Sequence, residues 1–300
     1  MKATAQTLGA AGIAEKSWFI VFSELIKARL TFLVLLTTLV GFYVGAGSGM
    51  DYGLMFRTLL GTGLVASGAA ALNQLLERNL DAVMRRTADR PLPSGRLQAD
   101  TVLVFGGLCS AAGLVYLAWT VNLLTSLLGA ITLASYLFIY TPLKQVTSLN
   151  TVIGAIPGAL PPLMGWTAAR DEINVGGCSL FAILFFWQLP HFLAIAWMYR
   201  ADYARACYAM LPVFDPDGER TARQALSHTL GLLPISLCPF LFGFEGIVYL
   251  AGALVLSLAF LWHAVLFARE RTYQRARQLF YASIIYLPSL LVLMVCDKVK

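Results

Sequence analysis

Long uninterrupted blocks of apolar residues are the feature that most limits how this chain can fold. Each block is about twenty residues long, which is the length a helix needs to cross the roughly 30 Å hydrocarbon layer of a bilayer. Inside that layer only helices and closed barrels satisfy every backbone polar group. The chain has 300 residues, of which 58% are hydrophobic and 13% charged, whereas soluble domains carry about 25% charged residues. The sequence therefore predicts an all-α, polytopic membrane protein.

We predict nine transmembrane helices from the positions of these blocks. They cover approximately residues 30–48, 54–76, 101–119, 121–141, 149–168, 176–197, 226–244, 246–267 and 278–296. The polar segments between them are short, so we expect one transmembrane domain over residues 30–300. An N-terminal segment, residues 1–29, precedes it and is expected in the cytoplasm or along the membrane interface, since aromatic and apolar residues mix there with charges.

The positions of the basic residues predict the orientation of the helices. Of the 22 Lys and Arg residues, all but Arg57, Arg170, Lys298 and Lys300 fall in the N-terminal segment or in the loops after spans 2, 4, 6 and 8. We call this side of the protein the basic face. The positive-inside rule places it in the cytoplasm. The net charge of +6 therefore reflects topology, and we expect no nucleic-acid partner.

The strongest local signal is an acidic motif at the end of span 2. Asn73, Glu77 and Asp81 recur every four residues, so on a helix their side chains share one broad face. Hard oxygen ligands of this kind suit Mg²⁺, which often shares them with phosphate. Basic side chains that could bind phosphate oxygens follow in the next loop, at Arg85, Arg86 and Arg90. The alternative is an ordinary solvated helix end, but carboxylates at a membrane boundary tend to be functional.

Two weaker signals belong to the same face. Asp202 follows span 6 and could provide a further metal or diphosphate ligand, and Lys144 ends the segment Tyr140-Thr-Pro-Leu-Lys144 after span 4. A lysine at a span end is also typical of a side chain that reaches toward the interface. His191 lies about two turns deeper in span 6, beside Pro190. A histidine there is commonly a packing residue, so both interpretations stay open.

At these motifs the sequence resembles the UbiA-type intramembrane prenyltransferases, from about residue 20 to 296. The resemblance is carried by Asn73–Asp81, Met84-Arg-Arg-Thr87, Arg90–Gly95, Tyr140–Lys144, Asn150–Trp166, Pro190–Phe192, Asp202-Tyr203 and Met210–Val213. The last three segments are similar to the branch of the family whose acceptor is haem. Three positions depart from the family pattern: Glu77 replaces an aspartate, Cys207 replaces a glycine before Met210–Val213, and Ala206 stands where a second acidic residue would complete the motif at Asp202.

The resemblance implies nine transmembrane helices around a central cavity, capped by cytoplasmic loops. It implies transfer of the farnesyl group of farnesyl diphosphate to a vinyl group of haem b, giving haem O, with Mg²⁺ as cofactor. Metal ligands and catalytic residues would be Asn73, Glu77, Asp81 and Asp202, and diphosphate would bind Arg85, Arg86, Arg90 and Lys144. His191 would be the haem-binding candidate. The resemblance also implies that the protein lies in a bacterial inner membrane with the site loops in the cytoplasm. A partner enzyme that hands over haem is a further expectation.

Two other functions remain open on the sequence. A member of the same family could use an aromatic or quinone-precursor acceptor instead of haem. A membrane transporter with an acidic cation site is a different class, but transporters place such charges near the bilayer midplane and have repeated halves. Here the charges gather at one face.

Overall fold

The computed structural model describes residues 16–47 and 49–299. Residues 1–15 of the predicted N-terminal segment lie outside this range, as do Ser48 and Lys300. The described chain forms twelve α-helices: α1 Trp18–Leu25, α2 Ala28–Gly45, α3 Tyr52–Val83, α4 Ala99–Thr120, α5 Leu123–Ala134, α6 Thr141–Leu143, α7 Asn150–Arg170, α8 Val175–Met198, α9 Arg200–Arg205, α10 Glu219–Leu241, α11 Ile247–Glu270 and α12 Tyr273–Cys296. A π-helical segment, Ser135–Tyr140, joins α5 to α6.

The described residues contain nine helical segments long and apolar enough to cross a membrane, as predicted. They are α2, α3, α4, the continuous segment Leu123–Leu143, α7, α8, α10, α11 and α12. The all-α polytopic fold is thereby confirmed, and the chain is a multi-pass membrane protein. The largest core cluster is built mainly from α8, α10, α11 and α12, and α2 lies between that group and α3.

Helix α3 is longer than the predicted second span, which ended near residue 76. It has 32 residues and therefore extends about 48 Å, more than the roughly 30 Å of hydrocarbon. Its last turns contain Asn73, Glu77 and Asp81, so the predicted spacing of four residues does lie on continuous helix. The excess length carries this motif to the basic face.

Helices α2 and α7 approach each other closely through two glycines. A Cβ on Gly41 would lie 2.0 Å from the carbonyl oxygen of Pro162, and one on Gly165 would lie 2.0 Å from that of Thr38. Membrane helices commonly use small residues for such contacts. Because α7 packs in this way against α2, its first residue, Asn150, is held at the basic face.

The break between α1 and α2 is held by a side chain of α3. Gln74 donates from Nε2 to the carbonyl oxygens of Glu24 and Leu25, at 2.9 and 2.8 Å. These carbonyls end α1 and have no partner within that helix. Lys27 follows in the left-handed conformation, with φ of +49°. The motif on α3 therefore fixes the turn that contains Lys27.

The loop after α9 covers the same end of the bundle. The amide of Ala209 donates to the carbonyl of Lys144 at 2.6 Å, and Asn150 donates from Nδ2 to the carbonyl of Ala209 at 2.9 Å. Tyr208 and Met210 pack against Met84, just beyond α3. The ends of α3, α6 and α8 thus meet at one place.

Candidate active site at the basic face

Each of the three predicted metal ligands on α3 accepts a hydrogen bond from a cation. Lys27 Nζ lies 2.6 Å from Asn73 Oδ1. Lys144 Nζ lies 2.6 Å from Glu77 Oε1, and Arg90 donates to Asp81 Oδ2 at 2.6 Å. Asn73, Glu77 and Asp81 are all buried, at 0%, 4% and 1% exposure. The structure therefore brings together three oxygen ligands and three cations from distant parts of the sequence.

The orientation of the Asn73 amide is set by α6. Asn73 Nδ2 donates to Thr141 Oγ1 at 3.1 Å, and the Thr141 hydroxyl donates to the carbonyl of Tyr136 at 2.8 Å. This leaves Asn73 Oδ1 directed at Lys27. The π-helical segment thus holds the amide oxygen in place as an acceptor, in keeping with the frequent occurrence of π-bulges at functional sites.

Lys144 lies in an aromatic and acidic environment. Its Nζ is 4.5 Å from the centre of the Tyr140 ring and 5.9 Å from that of Tyr208. Burial by itself would lower the pKa of Lys144, but Tyr140 and Glu77 raise it above its ordinary value. This direction favours the charged form of Lys144, the form that can bind an anion.

Lys27 is a site residue that the sequence motifs do not identify. It precedes the first span, and the sequence assigns it only to the basic face, where such lysines ordinarily reach toward the interface. Burial, followed by the charge of Arg90, lowers the pKa of Lys27 to about 7. Its position just before the first apolar block is the only available signal, and that signal does not distinguish a site lysine from an interfacial one.

The other two arginines predicted to bind diphosphate lie nearer the surface. Arg85 is exposed, and Arg86 is exposed with Nη2 3.4 Å from the Tyr203 hydroxyl. Arg86 also lies over the Tyr199 ring, 5.7 Å from its centre. Both side chains are therefore open to solvent, whereas Arg90 contacts Asp81 within the cluster.

Asp202 is not joined to the motif on α3. Its carboxylate forms an ion pair with Arg205, one turn later on α9. Among the described residues no three His, Cys, Asp or Glu side chains come together as a metal site, so Asp202 does not complete a set with Glu77 and Asp81. The missing acidic residue at Ala206 is consistent with this arrangement.

His191 occupies a different environment, between α8 and α12. Its Nδ1 lies 2.7 Å from Ser283 Oγ. The imidazole stacks on the rings of Trp187 and Phe280, with centres 5.1 and 5.0 Å away. A membrane histidine with these neighbours is well packed, but one edge of its ring is not used in these contacts.

The donor set of the cluster fits Mg²⁺ bound together with a diphosphate. Amide and carboxylate oxygens are the hard ligands that Mg²⁺ prefers, and it usually shares them with substrate phosphates. The three cations already in contact with these oxygens can bind phosphate oxygens instead. The cluster can therefore bind an anion and a divalent cation together at the end of an apolar helix bundle.

Known proteins resemble this chain in sequence and in fold. The model of the UbiA prenyltransferase family matches residues 34–286. Protoheme IX farnesyltransferase of Solibacter usitatus is 50% identical over 286 residues, which cover 92% of this chain and 98% of that protein. Digeranylgeranylglyceryl phosphate synthase has a similar structure, with a TM-score of 0.80 and 15% identity, covering 93% of this chain and 98% of the other.

A UbiA homologue from Archaeoglobus fulgidus, solved with DMAPP and Mg²⁺, aligns with a TM-score of 0.65 and 15% identity. That alignment covers 92% of this chain and 99% of the homologue. At such identity these two structures bear on the fold alone. The family match covers most of the chain, and the similarity to the Solibacter protein extends over nearly its full length. The chain therefore belongs to the UbiA prenyltransferase family.

Proposed function

We propose that the protein transfers the farnesyl group of farnesyl diphosphate to a vinyl group of haem b, giving haem O. The observation that carries this proposal is the 50% identity, over nearly all of both chains, to a protoheme IX farnesyltransferase. The relative from Salinibacter ruber with the same name is 46% identical over 275 residues. The cluster on α3 supplies the chemistry that diphosphate departure requires.

The metal would be held by Asn73, Glu77 and Asp81. When bound, Mg²⁺ would neutralise the diphosphate and stabilise it as a leaving group. The three cations would then release the side-chain oxygens of the metal ligands and bind phosphate oxygens instead. These cations are Lys27, Lys144 and Arg90. At Lys144 and Arg90 each exchange replaces one ion pair with another, so these buried charges stay compensated, which lowers the cost of loading the site.

The remaining residues would act at the outer edge. Arg85 and Arg86 would attract diphosphate from the aqueous side and bind its outer oxygens. We propose Asp202 as a ligand only in the loaded site, after Arg205 has turned from it toward the diphosphate. His191 would bind the haem.

The membrane setting follows from the same proposal. The basic face would be in the cytoplasm of a bacterium and the nine helices in its inner membrane. With the first span entering from the cytoplasm, an odd number of spans puts the end of the chain on the opposite side. A reporter fused after Lys300 should therefore respond as a periplasmic protein, and a cytoplasmic response would reverse the orientation. Haem would come from the bilayer or from a partner enzyme.

The decisive experiment is turnover with defined substrates. Purified protein, haem b, farnesyl diphosphate and Mg²⁺ should give a farnesylated, hydrated haem by mass spectrometry. A matched reaction with an aromatic quinone precursor as acceptor should give no product. Prenylation of that acceptor, without modification of haem, would assign the protein to the other branch of the family.

A further inference from the structure

The contact between His191 and Ser283 determines which ring nitrogen of the histidine carries a proton. The Ser283 hydroxyl has one hydrogen, and Oγ lies 2.5 Å from the carbonyl oxygen of Phe280, which can only accept. Ser283 therefore donates to Phe280 and must accept from His191 Nδ1, 2.7 Å away. The proton is on Nδ1, and Nε2 keeps a free lone pair.

The same serine also positions the neighbouring ring. Trp187 donates from Nε1 to the main-chain carbonyl of Ser283 at 2.8 Å. Trp187 lies one helical turn before His191 on α8 and stacks against it. Ser283 is fully buried, with 0% exposure. One residue of α12 thus holds both side chains of α8.

The imidazole is restrained on three sides. Trp187 and Phe280 stack on its faces, with interplanar angles of 23° and 29°, and Ser283 binds the Nδ1 edge. In the part of the chain that the structure describes, no group hydrogen-bonds Nε2, and His191 is only partly buried. Phe192 also packs against the ring, with centres 5.5 Å apart and an interplanar angle of 67°, so among the described residues Nε2 is the ring nitrogen left without a hydrogen-bond partner.

We propose that Ser283 is a positioning residue, which holds His191 so that Nε2 coordinates the iron of bound haem. The inference rests on the proposed function, because it takes haem as the acceptor. A neutral imidazole with Nδ1–H donated to an acceptor is the usual state of an iron- or zinc-bound histidine. The bond formed is a dative bond from the Nε2 lone pair to iron, and no proton moves.

The position of this group suits the substrate. His191 is seven residues before Met198, the end of α8, and so lies about 10 Å inside the helix end. Haem bound there would have its macrocycle in the apolar part of the bundle and its iron fixed.

The test is haem binding, measured by absorption spectroscopy on the purified full-length protein in nanodiscs. The wild type, Ser283→Ala, His191→Ala and Ser257→Ala are compared. Ser257 is a matched control because it is also a buried serine, and its hydroxyl contacts Tyr286 on α12 instead of His191. Thermal unfolding of each variant reports whether it is folded.

We expect Ser283→Ala to weaken haem binding about 10- to 100-fold, the usual loss when the partner of a metal-bound histidine is removed. Its Soret band should shift toward that of His191→Ala, while Ser257→Ala should match the wild type. A Ser283→Ala protein that is folded and binds haem with wild-type affinity and spectrum would overturn the proposal.

A second measurement does not depend on the folding of Ser283→Ala. The ferrous haem complex of the wild type should have an iron–histidine stretching band in its resonance Raman spectrum, and His191→Ala should lack it. Absence of that band in wild type that binds haem would overturn the ligation. Failure of the wild type to bind haem at all would instead refute the proposed function.

Discussion

The buried ion pair between Glu77 and Lys144 makes a quantitative prediction about the empty site. The two charged atoms are 2.6 Å apart, and the side chains are 5% and 15% exposed. At an effective dielectric constant of about 20 their attraction is about 6 kcal/mol. Desolvation offsets much of this, and removal of one member of such a pair typically costs about 3–5 kcal/mol.

The perturbations are Glu77→Gln, Lys144→Met and the double variant. Each single change should lower the free energy of unfolding by about 3 kcal/mol, since it leaves one uncompensated buried charge. Lys144→Met should lie at the lower end of the range because Lys27 also lies near Glu77 and partly compensates it. The double variant should come within about 1 kcal/mol of the wild type, because neither charge remains.

The assay is unfolding in detergent without Mg²⁺ or diphosphate, analysed as a double-mutant cycle. The exposed pair Glu270–Arg275 is a matched control, with the same 2.6 Å separation but side chains 45% and 28% exposed. Its cycle should give little measurable coupling, because water screens exposed pairs. Additive effects at Glu77 and Lys144 would refute the reasoning that these charges compensate each other in the empty site.

Three further predictions test other parts of the structure. Asp81→Asn should abolish formation of farnesylated haem and should also lower the free energy of unfolding, because it removes one member of the buried ion pair with Arg90; normal turnover by the folded variant would remove Asp81 from the metal site. Gly41→Ala should destabilise the protein by about 2–3 kcal/mol, because the new Cβ would lie 2.0 Å from the carbonyl oxygen of Pro162. Gly63→Ala is the control and should not destabilise it, because there the new Cβ would lie 3.7 Å from its nearest neighbour, the side chain of Leu35. Equal unfolding temperatures of the two variants would contradict the close contact at Gly41. Burial, followed by the charge of Asp297, raises the pKa of Glu245 from 4.5 to about 8, so the folded protein retains a proton that the unfolded chain releases. The free energy of unfolding should therefore fall as pH rises from about 4.5 to about 8, and Glu245→Gln should flatten this dependence in unfolding curves recorded across that range; an unchanged slope would argue against a protonated Glu245.

The sequence by itself determined the class of fold and the number of membrane crossings. Both depend on local quantities, namely the length of each apolar block and the distribution of Lys and Arg between loops. The spacing of Asn73, Glu77 and Asp81 is also local, because three residues at steps of four share a face on any helix. The face that contains these oxygens was therefore predictable from the sequence. The end of α3 at Val83, seven residues beyond the predicted span, was not.

The tertiary structure decided which groups meet that face. Lys27 and Lys144 lie 46 and 67 residues from the oxygens they contact, and nothing in local periodicity selects them over other basic residues. Asp202 had a suitable residue type and depth, yet it pairs with Arg205 within its own helix. Ser283 has no motif around it, and its contact with His191 spans 92 residues. These contacts arise from the packing of whole helices, and packing depends on the shapes of all the side chains between them rather than on any short segment.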